Sequence, residues 1–526
     1  MTAERKCGIL LHPTSFPSPY GIGDLGKSAY EFIDFLEKGS QKIWQTLPLC
    51  PTGFGDSPYQ SFSAFAGNFY LISPDELLEE GLLSEEDLKD IPDFDENKTD
   101  YGKVIPYKTS LLKTAFKNFI NGKNDNKKFN AFCSENAFWL DDYSLFCAVK
   151  DYYIENRRYE FESPAFKKFK EETSKFLTED QQNDYYYGAI WVTWDKDLIS
   201  RNPATINHSK KLFEKEILFY KFIQYKFFEQ WEKLKTYAEK KDIEIIGDIP
   251  IFIAWDSADA WANQSLFNLD SKGWPIEVAG VPPDYFSKTG QLWGNPVYVW
   301  KEHEKDGYSW WINRIKAALK ICHVIRIDHF RGFESNYCIP FGMKDATVGK
   351  WKKGPGKSLF NAIKKEIGSL PVIAEDLGVI TEKVEKLRDD LELPGMNILQ
   401  FAFDDSENNA YLPHNYVKNS VVYTGTHDND TTLGWYQSTS EECRDYFRRY
   451  MNSDGNYPSL DLIRLAVSSC ANRAVYPLQD LLCLDQKSRF NIPGVKENNW
   501  QWRYKKDMLK DEHSAYLSYI TKIFRR

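Results

Sequence analysis

His323-Val324-Ile325-Arg326-Ile327-Asp328 is an apolar run interrupted by one arginine and stopped by an aspartate. A strand this apolar on both sides is buried on both faces, as in a parallel sheet covered by helices. Alternation puts Arg326 and Asp328 on one face and turns Ile325 and Ile327 toward the helices. Seven other runs have the same shape: Gly8–His12, Lys42–Leu47, Ile243–Asp248, Pro371–Asp376, Met396–Phe401, Val421–Asp428 and Arg473–Leu478. Eight such strands predict a closed (β/α)8 barrel rather than an open doubly wound sheet. In that α/β architecture the polar strand ends form the rim that carries an active site.

The segments between the strands fit this reading. From Ser209 to Lys240, apolar residues at Phe213, Ile217, Tyr220, Phe227, Trp231, Leu234 and Ala238 keep a helical period that leads into the Ile243 strand. The second and third strands are separated by far more chain than a crossover needs. Residues 70–205 are therefore expected to form a mostly helical insertion beside the barrel mouth. Ser73-Pro74-Asp75-Glu76 reads as a capping box with proline at the first helical position, Ser84 precedes a second acidic helix start, and Asp93–Tyr101 reads as a solvated loop. Residues 254–310, between the third and fourth strands, are expected to be an aromatic loop insertion. The whole chain, 1–526, is read as one catalytic barrel.

Composition narrows the function. With 42% hydrophobic residues the chain can fill a large core, and its 16 Trp and 31 Tyr suit amphipathic ligands such as sugar rings. A net charge of −9 excludes the basic surface that nucleic acid requires. The nine cysteines are scattered without a Cys-x-x-Cys pair, which predicts neither a zinc site nor a disulfide framework. No run approaches the roughly 20 apolar residues of a membrane span, and the expectation is a soluble, cytoplasmic protein with no membrane partner.

Carboxylates end several of the strands: Asp248, Asp328, Glu375 and Asp428. Burying one costs free energy unless it is paired or used, and four on one rim point to use. Arg326, sharing a face with Asp328, favours its ionised form, which a nucleophile needs. Glu375, after Val372-Ile373-Ala374 and near other carboxylates, is expected to hold a proton and act as general acid. Asp376 is its rival, since adjacent residues cannot both face inward, and Glu375 is favoured for its longer reach. Two carboxylates on adjacent strands, about 4.8 Å apart, match the roughly 5–5.5 Å gap of a retaining glycosidase. A third acid can stabilise the positive charge that develops at the anomeric carbon. A metal phosphohydrolase, with His427-Asp428, His329 and Asp248 as ligands, is the competing reading; it lacks a helical His-x-x-x-His pair. Two loops mix flexible backbone, hydroxyls and aromatics in a way that suits sugar, namely Gly53–Ser63 and Gly280–Pro296.

Several motifs in order give the chain a resemblance to a known family. They are Ser57-Pro58-Tyr59, Gly247-Asp248-Ile249-Pro250, Trp293-Gly294-Asn295-Pro296, Arg326-Ile327-Asp328-His329-Phe330-Arg331-Gly332, Ala374-Glu375-Asp376-Leu377-Gly378, Gly425-Thr426-His427-Asp428 and Pro477-Leu478-Gln479-Asp480. The chain resembles, over nearly its whole length, the amylomaltases or 4-α-glucanotransferases of glycoside hydrolase family 77, in the α-amylase clan. The resemblance implies Asp328 as nucleophile, Glu375 as acid/base and Asp428 as transition-state stabiliser. It implies donor-sugar contacts from Arg326, His427, Asp248 and Asn491, and a glucan groove lined by Tyr59, Asp284, Gln291 and Trp293, with Ser57 and His329 also counted among the substrate-binding residues. The family works without metal or organic cofactor, on maltooligosaccharides and α-1,4-glucans as donors and glucose or maltooligosaccharides as acceptors. Two departures from the pattern are Asn498-Asn499-Trp500, where Gly-Asn-Trp is expected, and Phe69, where proline is expected after Gly67-Asn68. An α-1,4-glucan hydrolase and a non-catalytic glycan-binding barrel are the other functions considered; the second predicts a lost carboxylate, and all three are present.

Overall fold

The computed structural model of the chain describes residues 4–122, 126–158, 163–283, 287–404, 406, 409–495 and 497–526. Twelve strands occur among them: β1 (Lys6–Leu10), β2 (Ile43–Gln45), β3 (Glu244–Pro250), β4 (Glu277–Val281), β5 (Gln291–Pro296), β6 (Val324–Asp328), β7 (Ser335–Pro340), β8 (Lys350–Lys353), β9 (Val372–Ala374), β10 (Gly395–Ile398), β11 (Ser420–Tyr423) and β12 (Arg473–Pro477). Eight of these form one sheet in the order β10-β11-β12-β1-β2-β3-β6-β9, and every neighbouring pair in it is parallel.

The two ends of that order meet. Ala374 N–H donates to Pro394 C=O at 2.9 Å, and Met396 N–H donates to the Asp376 carboxylate at 2.8 Å. The sheet thus curls into a nearly closed barrel, with all eight expected strands in it. Gly395 permits the closure, because a Cβ there would lie 2.4 Å from Asp376 Oδ2.

Asp376 also accepts from Arg388, so its carboxylate belongs to the seam. Its side chain is 5% exposed. Asp376→Ala would leave the Met396 N–H unpaired and Arg388 with only its exposed partner Asp389. The expected loss is about 2 kcal/mol of stability, read as a lower urea midpoint at unchanged m-value.

Apolar strand residues build the core as alternation predicts: Ile325 and Ile327 of β6 are buried toward the helices. The long helix Glu214–Lys240 spans about 40 Å. It anchors on the barrel through Trp231, whose indole N–H donates to Ile321 C=O at 2.9 Å and whose ring packs on Trp44 at 5.8 Å. The single helix expected from Ser209 is in fact two, Pro203–Leu212 and Glu214–Lys240. The chain turns at Phe213 (φ −104°, ψ 25°), and Asn202 caps the first of the two by accepting from Ala204 and Thr205 N–H.

Between β2 and β3, helices predominate, among them Tyr101–Asn121 and Ala137–Arg157. Ser73 caps Pro74–Glu79 by accepting from Glu76 N–H. Among the described residues no helix is long and apolar enough to cross a membrane.

The stretch expected as an aromatic loop, 254–310, contributes β4 and β5 to a second sheet. That sheet is antiparallel, in the order β5-β4-β7-β8. Its strands carry little periodic signal. Pairing shifts between Val278 and Gly280, and all four residues of β8 (Lys350-Trp351-Lys352-Lys353) are exposed.

Candidate active site

At the C-terminal ends of β3, β6 and β9 the side chains converge. Asp248 and Arg326 are register partners on β3 and β6, which brings guanidinium and carboxylate together. Arg326 donates to Asp248 Oδ2 at 2.6 Å and to Asp328 Oδ1 at 2.9 Å. Arg326 and Asp248 form the floor of the site, with side chains 4% and 0% exposed, whereas that of Asp328 is 32% exposed. One oxygen of Asp328 is therefore fixed by the guanidinium while its carboxylate stays accessible.

Glu375 follows directly on β9, in step with Asp328, because Ile327 pairs with Ala374 in the β6–β9 ladder. The ladder runs on past the strand ends: Glu375 N–H donates to Ile327 C=O and Phe330 N–H to Glu375 C=O, both at 3.1 Å. The Glu375 carboxyl accepts from His329 N–H at 2.6 Å and Leu377 N–H at 2.9 Å. The His329 backbone is left-handed, φ 54°, as the chain leaves β6. Burial, and then the charge of Asp328, push the Glu375 carboxyl up to about 8, so it carries a proton at neutral pH. The surroundings of the two neighbours differ: Glu375 lies beside Asp328, whereas Asp376 accepts from Met396 N–H and Arg388 at the seam.

Asp428 does not close a strand. β11 ends at Tyr423, and the chain then leaves the sheet into a turn in which Asn429 Oδ1 accepts from Thr426 N–H and Oγ1, both at 2.9 Å. Asp480 braces this turn, accepting from Thr424 Oγ1 at 2.6 Å and from Thr432 N–H and Oγ1 at 2.7 Å. Asn491 donates to Asp428 Oδ1 at 2.6 Å, and His427 Nε2 lies 3.4 Å from the same oxygen.

The aromatic residues complete the mouth. Tyr59 donates to Asp248 Oδ2 at 2.9 Å and stacks on His427 at 5.2 Å and 15°. Burial, and then the Asp248 charge, hold the Tyr59 hydroxyl protonated well above its ordinary value. Ser57 steadies that loop by accepting from Tyr59 N–H at 3.2 Å. Trp293 meets His329 edge-on at 4.8 Å, and its indole N–H donates to Gln291 Oε1 at 3.1 Å. Burial and then Arg331 push the His329 imidazole down to about 3, so it is neutral, and its buried Nε2 lacks a hydrogen-bond partner, as does Asp248 Oδ1. Two orphaned polar atoms around the Asp328 carboxylate suit a ligand rich in hydroxyls.

Of the residues singled out from the sequence, Asp328, Glu375, Asp248, Arg326, Tyr59, Ser57, His329 and Trp293 are linked in this way, with Gln291 at its rim through Trp293. His427, Asp428 and Asn491 join them across the mouth. Asp284 lies outside the described residues. The metal phosphohydrolase reading loses one of its two carboxylates, since Asp248 accepts from a guanidinium and a phenol.

Two residues were not assigned to the site from the sequence, although Trp500 was met in the Asn498-Asn499-Trp500 stretch. Arg489 donates to Asp428 C=O at 2.6 Å and to Asn491 C=O at 2.8 Å, holding the third acid together with its amide partner. Trp500 packs on Tyr59 at 5.7 Å and on His427 at 5.9 Å. Neither contact could be read locally, because the Asp428 turn and the Tyr59 loop that they support lie far away in sequence.

Comparison with known proteins gives consistent matches. A family model described as 4-alpha-glucanotransferase (Glyco_hydro_77) matches residues 11–509. A 4-alpha-glucanotransferase of Synechocystis sp. is 46% identical, over 100% of this chain and 99% of its own length. That of Thermus thermophilus is 45% identical over 98% of both. Among solved structures, an amylomaltase from Streptococcus agalactiae in complex with acarbose superimposes with a TM-score of 0.91 at 37% identity, covering 99% of this chain and 100% of that one. An amylomaltase from Corynebacterium glutamicum, 16% identical with a TM-score of 0.75, covers 98% of this chain and 75% of that one and shares the fold.

Proposed function

The chain belongs to the 4-alpha-glucanotransferase family, glycoside hydrolase family 77, and from that premise we propose how its residues divide the reaction. The protein is a transglycosylase of α-1,4-glucans and maltooligosaccharides. Its chemistry is a double displacement with retention. An Asp328 oxygen attacks the anomeric carbon of the donor, and the glycosidic C–O bond breaks as Glu375 gives its proton to the departing 4-oxygen. In the second half, the 4-hydroxyl of an acceptor glucose or maltooligosaccharide passes its proton to Glu375 and attacks the same carbon, releasing Asp328.

The observation that carries this assignment is the pairing of an accessible, guanidinium-bound carboxylate with a buried carboxyl held protonated by its surroundings. Arg326 holds Asp328 in place, while Asp248 and Tyr59 hold Arg326. Asp428, steered by Asn491 and Arg489, is assigned to the sugar hydroxyls and the growing positive charge at the anomeric carbon. His329, His427, Trp293 and Gln291 are assigned to the sugars of the bound chain. Asp284 is kept in the groove on the family resemblance alone. The acarbose bound by the S. agalactiae protein supports an α-glucan-shaped site here too.

Incubation of the purified protein with maltotriose tests the reading. Glucose should appear together with maltodextrins longer than the substrate, without a net rise in reducing ends. Products no longer than maltotriose, with rising reducing ends, would mean that water rather than sugar is the acceptor.

A further inference from the structure

A second cleft lies between the helical insertion and the barrel, lined by residues that the proposed chemistry does not use. Its volume is about 160 Å³, room for on the order of ten water molecules, the scale of one pyranose ring. Aromatic rings form one side. Phe65 stacks on Trp139 at 6.3 Å and meets Phe138 and Trp310 edge-on at 5.6 and 5.9 Å. Phe138, at 52% exposed, stands at the rim. Polar groups form the rest: Asp142, Asp259 and Asp306, with Asn263, Asn313, Ser63 and Ser309.

The chemistry of this lining selects its ligand. No lysine, arginine or histidine lines the cleft, so an anion has no partner there. Asp142 is already paired with Arg201 at 2.6 Å, Asp306 accepts from Ser309 Oγ at 2.6 Å, and no three acidic, histidine or cysteine side chains among the described residues converge as a metal site. Burial pushes the Asp259 carboxyl up to about 6, and it already accepts from Ala64 N–H. Trp310 is 7% exposed, and its indole N–H lies against the Asp259 carboxylate. Apolar ring faces, acceptor carboxylates, amides and hydroxyls suit a neutral ligand with an apolar face and a ring of hydroxyls.

We propose that this cleft is a second α-glucan site, which holds a glucosyl unit of a maltodextrin away from the carboxylates that perform transfer. The proposal rests on α-glucans being the substrates. The same stretch of chain serves both places: the loop that carries Tyr59 continues into Ser63 and Phe65. It is pinned to the cleft by Ala64 N–H donating to Asp259 at 2.8 Å and Ala258 N–H donating to Phe62 C=O at 2.8 Å.

The test is calorimetric titration of maltoheptaose into the full-length Asp328→Asn protein, in which turnover is blocked. Two classes of site are expected. Phe138→Ala and, separately, Asn313→Leu in that background should weaken one class about tenfold while leaving the other unchanged. Phe138 is at the surface, so its truncation leaves the fold intact, as the melting temperature will show. A single class of site, or two classes that neither substitution alters, overturns the proposal. The maltotriose product profile of the unsubstituted protein separately reports whether α-glucan transfer itself is correct.

Discussion

Asp328→Asn is expected to lower kcat on maltotriose by on the order of 10⁴–10⁶-fold while leaving the fold in place. The amide keeps the size of the carboxylate but removes the charge and nucleophilicity on which the first displacement depends. Arg326 does not become an orphaned buried charge, because it retains its 2.6 Å bond to Asp248. The stability change should therefore be about 1 kcal/mol or less. Substrate affinity, measured by calorimetry, should change far less than turnover, since the interaction lost belongs to the reaction and not to the ground state. A variant retaining a tenth or more of the wild-type rate would remove Asp328 from the nucleophile role.

Glu375→Gln is expected to cost about 10²–10⁴-fold on maltotriose, the usual worth of a positioned general acid. The loss in the first displacement, read as the burst rate of fluoride release, should be much smaller when the donor is α-maltosyl fluoride, because fluoride departs without a proton. The same group governs pH dependence. With its folded value at about 8, Glu375 holds the catalytic proton below that pH and loses it above. The rate constant for transfer should therefore fall as pH rises through about 8, and this alkaline limb should disappear in Glu375→Gln. The glutamine can accept only one of the two N–H groups that now point at the carboxyl, those of His329 and Leu377. It should thus destabilise the protein by about 1–3 kcal/mol, and rates belong well below its melting temperature. Equal losses on maltotriose and on the fluoride, with the limb intact, would show that Glu375 supports the structure and does not transfer the proton.

How far the chain could be read ahead of its structure depended on where each signal lies. The barrel was legible because its strands are short apolar runs, and the period-two alternation of β6 placed Arg326 and Asp328 together. The second sheet was not, because β4 is bulged and β8 is uniformly exposed, so neither shows alternation. Asp428 was found by its motif but misplaced as a strand end: the apolar character of Val421 and Val422 fades without a break into Thr424 and Gly425, and only the Thr426–Asn429 turn shows where the sheet stops. The choice between Glu375 and Asp376 could not be settled locally. What separates them lies far off in sequence: Arg388 and Met396 take Asp376 into the seam. The contacts of Arg489 with Asp428, 61 residues away, and of Trp500 with the Tyr59 loop were illegible for the same reason.

The most direct measurement is to trap the sugar on the protein. Glu375→Gln should accept a maltosyl group from α-maltosyl fluoride and release it slowly, since the residue that deprotonates the acceptor is missing. Proteolysis and mass spectrometry should then find the added mass on the peptide containing Asp328, and no such adduct in the Asp328→Asn, Glu375→Gln double variant. A stable adduct on another carboxylate would contradict the account, as would fluoride release at full rate with no adduct at any time.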